Sequence, residues 1–172
     1  MSRAYLNGRW CVRCGRTEAT PYLRAHWRKL QVCDDPDDEV VLDLGCGNMR
    51  NTRFMRERGF RVVPVDMCAE GAEKCVLGVD ALPVPDRSVT IILANYVFMF
   101  LNRRELRFLL DEILRVAAPH CRIMVELYPA KDSNAPDADA VKALKNTLLD
   151  CLYRPRLLLS SKDRFIGELV CI

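Results

Sequence analysis

The chain has 172 residues, a length that suits one α/β domain and leaves little room for a second. Half of the residues are apolar and 28 % are charged, which excludes wholesale disorder and allows a substantial hydrophobic core. The net charge of +3 is too small to indicate a partner by itself. The chain shows neither a membrane-spanning apolar run nor a signal-peptide pattern, so we expect a cytoplasmic protein with no membrane partner.

The first part of the chain is basic and is followed by a short acidic stretch. Residues 1–33 contain seven Arg or Lys residues against one acid, Glu18, whereas residues 34–39 contain five acids. Two interpretations remain open, because such a basic head can face an anionic partner or can be a solvated surface of an arginine-rich protein. We divide the chain into this N-terminal head, 1–38, and a main domain, 39–172.

A helix is predicted within the head. Residues 1–20 are expected to be irregular, and Thr20 and Pro21 then provide an N-cap and a first-turn proline. The helical pattern continues through Tyr22, His26, Leu30 and Cys33. The acidic linker around Pro36 is expected to end it.

The main domain alternates strand and helix patterns, as in a mostly parallel sheet. Five strands are predicted, over Val40–Leu44, Arg61–Val65, Cys75–Val79, Val89–Tyr96 and Cys121–Tyr128. Helices are predicted over Asn51–Arg58, Arg103–Ala117 and Ala138–Leu152, and a closing antiparallel hairpin over Leu157–Ser160 and Phe165–Ile172. These elements predict a seven-stranded α/β sandwich.

One connection in this pattern is unusually short. Only 14 positions separate Asp66 from Asp80, and they must hold both a crossover and a strand. Parallel crossovers usually need a dozen residues or more, commonly with a helix. The helix here is therefore expected to be a turn or two, around Glu70–Lys74.

A glycine-rich turn follows the first strand of the main domain, in the sequence VVLDLGCGN. Gly45 and Gly47 permit positive φ and remove side chains, so that a ligand can lie against the backbone. The start of the next helix offers unpaired N–H groups beside this turn. Met49 stands where a third glycine would complete a G-x-G-x-G pattern.

Acidic residues are predicted at the ends of three strands, and they make the glycine-rich turn more specific evidence for a nucleoside-binding site. Asp43 lies at the end of the first strand, Asp66 at the end of the second, and Asp80, followed by Ala81, at the end of the third. A carboxylate in such a place can accept hydrogen bonds from both hydroxyls of a ribose, and open α/β sheets bind ligands at the carboxyl ends of their strands.

Four stretches of the sequence resemble the motifs of a known family. VLDLGCGN, VVPVDM, VDALPVPDRSVTIILANYVFMFL and ILRVAAPHCRIMVEL look like the successive motifs of the class I S-adenosylmethionine-dependent methyltransferases, over roughly residues 39–128. The stretches DLGCGNMRNTRFMRERGFRV and YVFMFL look most like the small tellurite-resistance type of methyltransferase. The resemblance implies a Rossmann-like, seven-stranded, mostly parallel sheet with a C-terminal antiparallel hairpin and helices on both faces.

The resemblance also implies a cofactor, S-adenosylmethionine, and a set of residues that bind it. The methionine part would lie against Asp43, Gly45, Cys46, Gly47 and Asn48. The ribose would bind Asp66, and the adenine would contact Met67, Asp80 and Ala81. Asn95 and Tyr96 would lie beside the sulfonium and the methyl acceptor as candidate catalytic residues. Two departures from the family pattern, Met49 and the short segment between Asp66 and Asp80, predict weak cofactor binding or a lost activity.

The nine cysteines do not indicate a disulfide framework, because their number is odd and most lie in apolar runs. The closest pair, Cys11 and Cys14 before Gly15, resembles one knuckle of a zinc ribbon, but a second such pair is missing and a zinc site needs four ligands. His26, Cys33, Cys68 and Cys75 are the nearest residues that could complete it. A zinc site, a redox pair and plain packing all remain open.

Three functions are compatible with these observations. The compact chain and the subgroup resemblance favour a methyltransferase that acts on a small molecule. A methyltransferase that grips nucleic acid through the basic head is the second, and a non-catalytic S-adenosylmethionine-binding protein is the third. No general base is evident, and none is needed for a soft acceptor such as a thiol or a tellurium species. The sequence does not predict an oligomeric state.

Overall fold

The computed structural model describes residues 2–6, 9–13, 16–127, 138–152, 155–161 and 163–169. Within these ranges there are nine β-strands, β1 (Ser2–Leu6), β2 (Arg9–Arg13), β3 (Val40–Leu44), β4 (Arg61–Asp66), β5 (Glu73–Lys74), β6 (Val89–Asn95), β7 (Ala117–Glu126), β8 (Arg156–Ser160) and β9 (Arg164–Glu168). The same ranges contain four α-helices, α1 (Pro21–His26), α2 (Arg50–Arg56), α3 (Arg103–Val116) and α4 (Ala138–Cys151), and short 3₁₀ helices over Trp27–Lys29, Pro36–Asp38 and Phe98–Phe100.

Seven strands form one sheet in the order β5-β4-β3-β6-β7-β9-β8. The first five run parallel, and β9 is antiparallel to both β7 and β8. This arrangement confirms the predicted mostly parallel sheet with an antiparallel C-terminal hairpin. The strand order reverses between β3 and β6, and ligands of open α/β sheets bind at such a switch point, outside the carboxyl ends of the strands.

Successive strand residues point to opposite faces of the sheet, and helices cover both faces. Leu42 and Ile92 face a core that α3 and α4 complete, with Leu106, Leu109, Leu110, Ile113, Leu148 and Leu152. Val41, Ile91 and Met124 face a second core, which α1 and α2 complete with Tyr22, Leu23 and Met55. The prediction of helices on both faces is therefore confirmed, and burial of each large apolar side chain stabilises the fold by about 1.5–3 kcal/mol.

The predicted third strand over Cys75–Val79 is wrong. The strand in this place is β5, only two residues long, and the predicted helix over Glu70–Lys74 does not form. Gly78 has φ of +82°, which a strand cannot accommodate, and its Cα packs so tightly on α3 that a Cβ would lie 2.6 Å from Cβ of Glu105. β5 pairs only with Val65 and Asp66, the last two residues of β4. The connection therefore runs back along β4 by only two residues, and the six residues 67–72 are enough for this crossover.

The N-terminal head also differs from the prediction. Part of the segment expected to be irregular forms an antiparallel hairpin of β1 and β2, whose register places Tyr5 opposite Trp10. The helix α1 ends at His26 and does not continue to Cys33. The buried carboxylate of Glu39 accepts the backbone N–H groups of Val32 at 2.6 Å and Cys33 at 2.9 Å, so these amides bond to a side chain and not to helical carbonyls.

The other predicted elements lie within a few residues of the observed ones, and the predicted ends at Tyr128 and at 170–172 fall outside the described residues. In the described ranges, no helix combines the length and the apolar character that crossing a bilayer requires. The division of the chain between residues 38 and 39 stays a prediction, although α1 of the head shares a hydrophobic core with the sheet.

Candidate functional site

The glycine turn follows β3 at the switch point of the sheet. Gly45 and Gly47 have φ of +63° and +55°, as the sequence predicts for a tight turn. A Cβ on Gly45 would lie 2.8 Å from Cγ2 of Val97, so this glycine is required by the close approach of the segment after β6. Among the described residues, a Cβ on Gly47 would have one neighbour within 4 Å, the carbonyl oxygen of Gly45 at 3.9 Å. The turn is therefore packed on one side and leaves room beside Gly47.

Asp66, at the end of β4, holds two loops together. One carboxylate oxygen, Oδ2, accepts the backbone N–H of Gly47 at 3.0 Å. The other, Oδ1, accepts the N–H groups of Cys68 at 2.7 Å and Ala69 at 3.0 Å. The carboxylate thus lies against the glycine turn, where a ribose would be expected. A nucleoside bound here would meet a carboxylate that is already held in place.

Asp43 is a buried carboxylate beneath the same turn. It is 2 % exposed, and Oγ1 of Thr52 in α2 donates to its Oδ2 at 2.6 Å. Burial raises its pKa to about 6, against the hydrogen bonds from Thr52, and the nearby charge of Asp66 acts in the same direction as burial. A positive charge near the turn would therefore interact favourably with Asp43, since it would stabilise the ionised form of the carboxylate.

The remaining residues of the turn have mixed roles. The N–H of Cys46 donates to the carbonyl of Val65, and burial raises the pKa of its thiol to about 12, which keeps the thiol neutral. The side-chain amide of Asn48 donates to the carbonyl of Arg16 at 2.6 Å. Met49 adopts φ of +61° at the N-cap of α2, and its sulfur would lie 3.8 Å from a Cβ on Gly71.

The structure does not bring all three predicted acids to strand ends. Asp80 is exposed, and its carboxylate accepts the N–H of Val76 at 2.8 Å within its own turn. Ala81 is also exposed and follows this turn. Met67 is half-buried, directly after Asp66 in the loop that leaves β4. Asp43 and Asp66 therefore lie at the carboxyl edge of the sheet as predicted, and Asp80 does not end a strand.

Asn95 and Tyr96 lie at the end of β6 and converge on a carboxylate that the sequence analysis missed, Glu126 at the end of β7. The side-chain amide of Asn95 donates to Oε1 of Glu126 at 2.6 Å, and the hydroxyl of Tyr96 donates to Oε2 at 3.1 Å. The hydroxyl of Thr20, the N-cap of α1, also donates to Oε1. The amide of Asn51 donates to Oδ1 of Asn95 at 3.1 Å and extends the network to α2.

This polar network, which we call the Glu126 network (Thr20, Asn51, Asn95, Tyr96 and Glu126), lies at the same sheet edge as the glycine turn. Thr20, Asn51 and Glu126 are buried, and Asn95 and Tyr96 are half-buried. Glu126 is 1 % exposed, and Nη1 of Arg164 lies 4.0 Å from its Oε2. Tyr96 has φ of +60°, and burial followed by the charge of Glu126 raises the pKa of its hydroxyl. A charged residue at the end of an apolar strand, as in IMVEL, is the signal that could have revealed Glu126.

The possible zinc knuckle of Cys11 and Cys14 lies only partly within the described residues. The backbone of Cys11 lies in β2, and Cys14 falls outside the described residues, so the question of a zinc site stays a prediction. Across the part of the chain that the structure describes, no group of three or more His, Cys, Asp or Glu side chains is placed to hold a metal ion.

Comparison with known proteins gives this geometry a context. A family model described as "Methyltransferase domain" matches residues 42–125, just under half of the chain, from β3 to the end of β7. Over this segment the chain is similar to methyltransferase domains. The match includes the glycine turn, Asp66, Asn95 and Tyr96, and it stops one residue before Glu126.

Individual relatives are distant. A malonyl-[acyl-carrier protein] O-methyltransferase from Yersinia pestis is 30 % identical over 102 residues, which are 54 % of this chain and 38 % of that protein. The chain thus spans less than two-fifths of the length of this curated methyltransferase relative.

Two solved structures share the fold of this chain. An S-adenosylmethionine-dependent methyltransferase from Aquifex aeolicus has a TM-score of 0.63 at 16 % identity, over 87 % of this chain and 89 % of that one. A geranyl diphosphate C-methyltransferase from Streptomyces coelicolor A3(2), solved with Mg²⁺, geranyl diphosphate and S-adenosyl-L-homocysteine, has a TM-score of 0.60 at 13 % identity, over 87 % of this chain and 77 % of that one. At these identities, they establish the fold alone.

Proposed function

We propose that the chain binds S-adenosylmethionine at the glycine turn and transfers its methyl group to a small molecule. The observation that carries this proposal is the carboxylate of Asp66, held against the N–H of Gly47 at the switch point of a methyltransferase-type sheet. A cytoplasmic location and a small-molecule acceptor are parts of the same proposal. The likeness to the small tellurite-resistance type stays a prediction.

The residues around the turn fit the cofactor. In our proposal, the methionine part lies against Gly45, Cys46, Gly47 and Asn48, and Asp43 offers negative charge from below. The space beside Gly47 admits a ligand close to the backbone, because no side chain of the described residues lies within 4 Å of a Cβ built there. This placement is supported by the buried carboxylate of Asp43, whose charged form a neighbouring cation would stabilise.

A ribose hydroxyl would donate to Oδ2 of Asp66, which accepts only the N–H of Gly47 among the described residues, whereas Oδ1 already accepts two N–H groups. Met67 would pack on the adenine. The contact of Asp80 and Ala81 with the adenine amino group and ring stays a prediction. Asp80 does not end a strand, and its Oδ2 accepts the N–H of Val76.

When bound, S-adenosylmethionine supplies a methyl group activated by the sulfonium, and the carbon–sulfur bond breaks with its electron pair left on sulfur as the acceptor bond forms. The task of the chain is alignment and exclusion of water. Asn95 and Tyr96 lie at the end of β6, two and three residues after Leu93, which pairs with Asp43 of β3, and the Glu126 network fixes them in place. An acceptor that carries a proton releases it to water.

Calorimetric titration of the purified chain with S-adenosylmethionine and S-adenosylhomocysteine tests the proposal. Asp66→Ala should weaken both by about 10–150-fold, the range expected for lost hydrogen bonds to a charged group. Asp111→Asn, on the exposed face of α3, is the matched control and should bind as the wild type does. Failure of the wild-type chain to bind either compound would refute the proposal.

A further inference from the structure

The hydroxyl of Tyr22 is buried and has no hydrogen-bond partner among the described residues. The side chain is 7 % exposed. Two other buried polar atoms share this condition, Oε2 of Glu39 and Nε of Arg122, but each belongs to a side chain that bonds backbone through another atom. Tyr22 has only one side-chain polar atom, so its side chain makes no hydrogen bond to the described residues.

This hydroxyl lies at the edge of the Glu126 network. Tyr22 is in α1, two residues after Thr20, whose hydroxyl donates to Glu126. The guanidinium of Arg164 lies 5.2 Å from the centroid of the Tyr22 ring, and the same guanidinium approaches Glu126 to 4.0 Å. Tyr22 thus lies beside the Glu126 network, which joins the ends of β6 and β7.

An unpaired hydroxyl inside a protein destabilises the fold, and each such group in a native structure calls for an explanation. One explanation is a ligand that forms a hydrogen bond with this hydroxyl in the working enzyme. We propose that the hydroxyl of Tyr22 binds the methyl acceptor, and that this acceptor is an uncharged polar molecule, such as an alcohol, a phenol or an amide. The proposal rests on the proposed function, since it places the acceptor of that reaction between α1 and the Glu126 network.

The charges around Tyr22 favour an uncharged acceptor. Burial raises the pKa of its hydroxyl to about 12, and the carboxylates of Glu126 and Asp163 add to this effect against the opposing charge of Arg164. Arg164 itself is already paired with Asp163, at 3.0 Å and 3.2 Å. A negative charge is therefore disfavoured at this point, and a carboxylate or oxyanion would meet the same penalty as a tyrosinate. A neutral oxygen can accept a hydrogen bond from the Tyr22 hydroxyl without that penalty.

The first test is the thermal stability of Tyr22→Phe, which removes only the hydroxyl. Since that oxygen has no partner, the melting temperature should stay unchanged or rise by about 2–4 °C. Tyr96→Phe makes the same chemical change where the hydroxyl donates to Glu126, and it should lower the melting temperature. A clear loss of stability in Tyr22→Phe would mean that the hydroxyl has a structural partner and would overturn the proposal.

The second test uses two aromatic probes of similar size, phenol and benzoate, in the presence of saturating S-adenosylhomocysteine. Ligand-observed NMR at pH 7 should show saturable binding of phenol, at least tenfold weaker binding to Tyr22→Phe, and weaker binding of benzoate than of phenol to the wild type. Equal phenol binding by both proteins, no saturable phenol binding, or tighter binding of benzoate would each contradict the proposal.

The two proposals fail separately. If S-adenosylhomocysteine does not bind the wild-type chain, the proposed function is refuted. If it binds wild type and Tyr22→Phe alike while phenol binding is insensitive to the substitution, only the assignment of Tyr22 is refuted.

Discussion

Replacement of Asp43 by asparagine is expected to stabilise the free protein at neutral pH and to weaken cofactor binding. The carboxylate is buried, and its pKa is raised from 3.8 to about 6, primarily by desolvation. Because the folded pKa lies above the unfolded one, the folded state binds more protons between about pH 4 and 6, and stability falls as the pH rises through this window. Above it, the charged carboxylate costs about 3 kcal/mol, from two pKa units at about 1.4 kcal/mol each.

The substitution keeps the shape of the side chain and removes the charge. We therefore expect Asp43→Asn to raise the free energy of unfolding at pH 8 by about 1–3 kcal/mol. The gain should shrink as the pH falls and vanish near pH 4, where the wild-type carboxyl group is protonated as well. Urea unfolding at a series of pH values between 4 and 8 measures this difference directly, with Asp111→Asn as a control at an exposed position.

The same variant should bind S-adenosylmethionine less tightly than the wild type, since a positive ligand loses its nearby negative charge. Stability and binding would then move in opposite directions, as expected for a strained carboxylate kept for function. A variant less stable than the wild type at pH 8, or a stability difference that does not change between pH 4 and 8, would show that burial does not disfavour the ionised form of Asp43.

Two further predictions concern stability. Gly78→Ala should lower the free energy of unfolding by about 2–4 kcal/mol, because its Cβ would collide with Glu105 and the backbone has φ of +82°. Gly71→Ala, at φ of +75° but with its nearest contact at 3.8 Å, should lose only about 1–2 kcal/mol, and equal losses in urea unfolding would argue against the collision. The hydrogen bond from His120 lowers the pKa of Glu168, so that carboxylate contributes stability above its unfolded pKa and loses it as the pH falls through its folded pKa. Glu168→Gln should therefore lose less than about 1 kcal/mol at pH 6 and nothing below pH 3, and an equal loss at both pH values would contradict this account.

Much of the fold could be predicted because it depends on periodic burial. The apolar runs around Val41 and Ile92 are buried on both faces, and the pattern of α3 matches its buried side. The turn at Gly45 and the carboxylate of Asp66 could also be predicted, because a glycine elbow and a strand-end acid are local in sequence. The family resemblance added the cofactor, but not the geometry of the acceptor side.

The features that escaped prediction depend on contacts between distant residues. Glu39 is only six residues after Cys33, but it is one of five acids in residues 34–39, and only the fold buries it where it can accept the amide of Cys33 and end the helical pattern early. The run Cys75–Val79 is apolar enough for a strand, and only the packing of Gly78 on α3 turns it into a loop. Glu126 is one acid among 23 until the fold sets it opposite Asn95 and Tyr96.

The brevity of β5 leaves most of β4 as an open margin of the sheet. β5 pairs with Val65 and Asp66 only, so among the described residues no strand adjoins the outer side of Arg61–Pro64. The carbonyls of Val65 and Asp66 point towards Cys46 and Cys75 respectively, and since successive residues alternate, Pro64 shares the outward direction of Asp66. Proline has no N–H to offer at that point, which hinders another molecule from adding a strand there and protects the chain against aggregation through this margin.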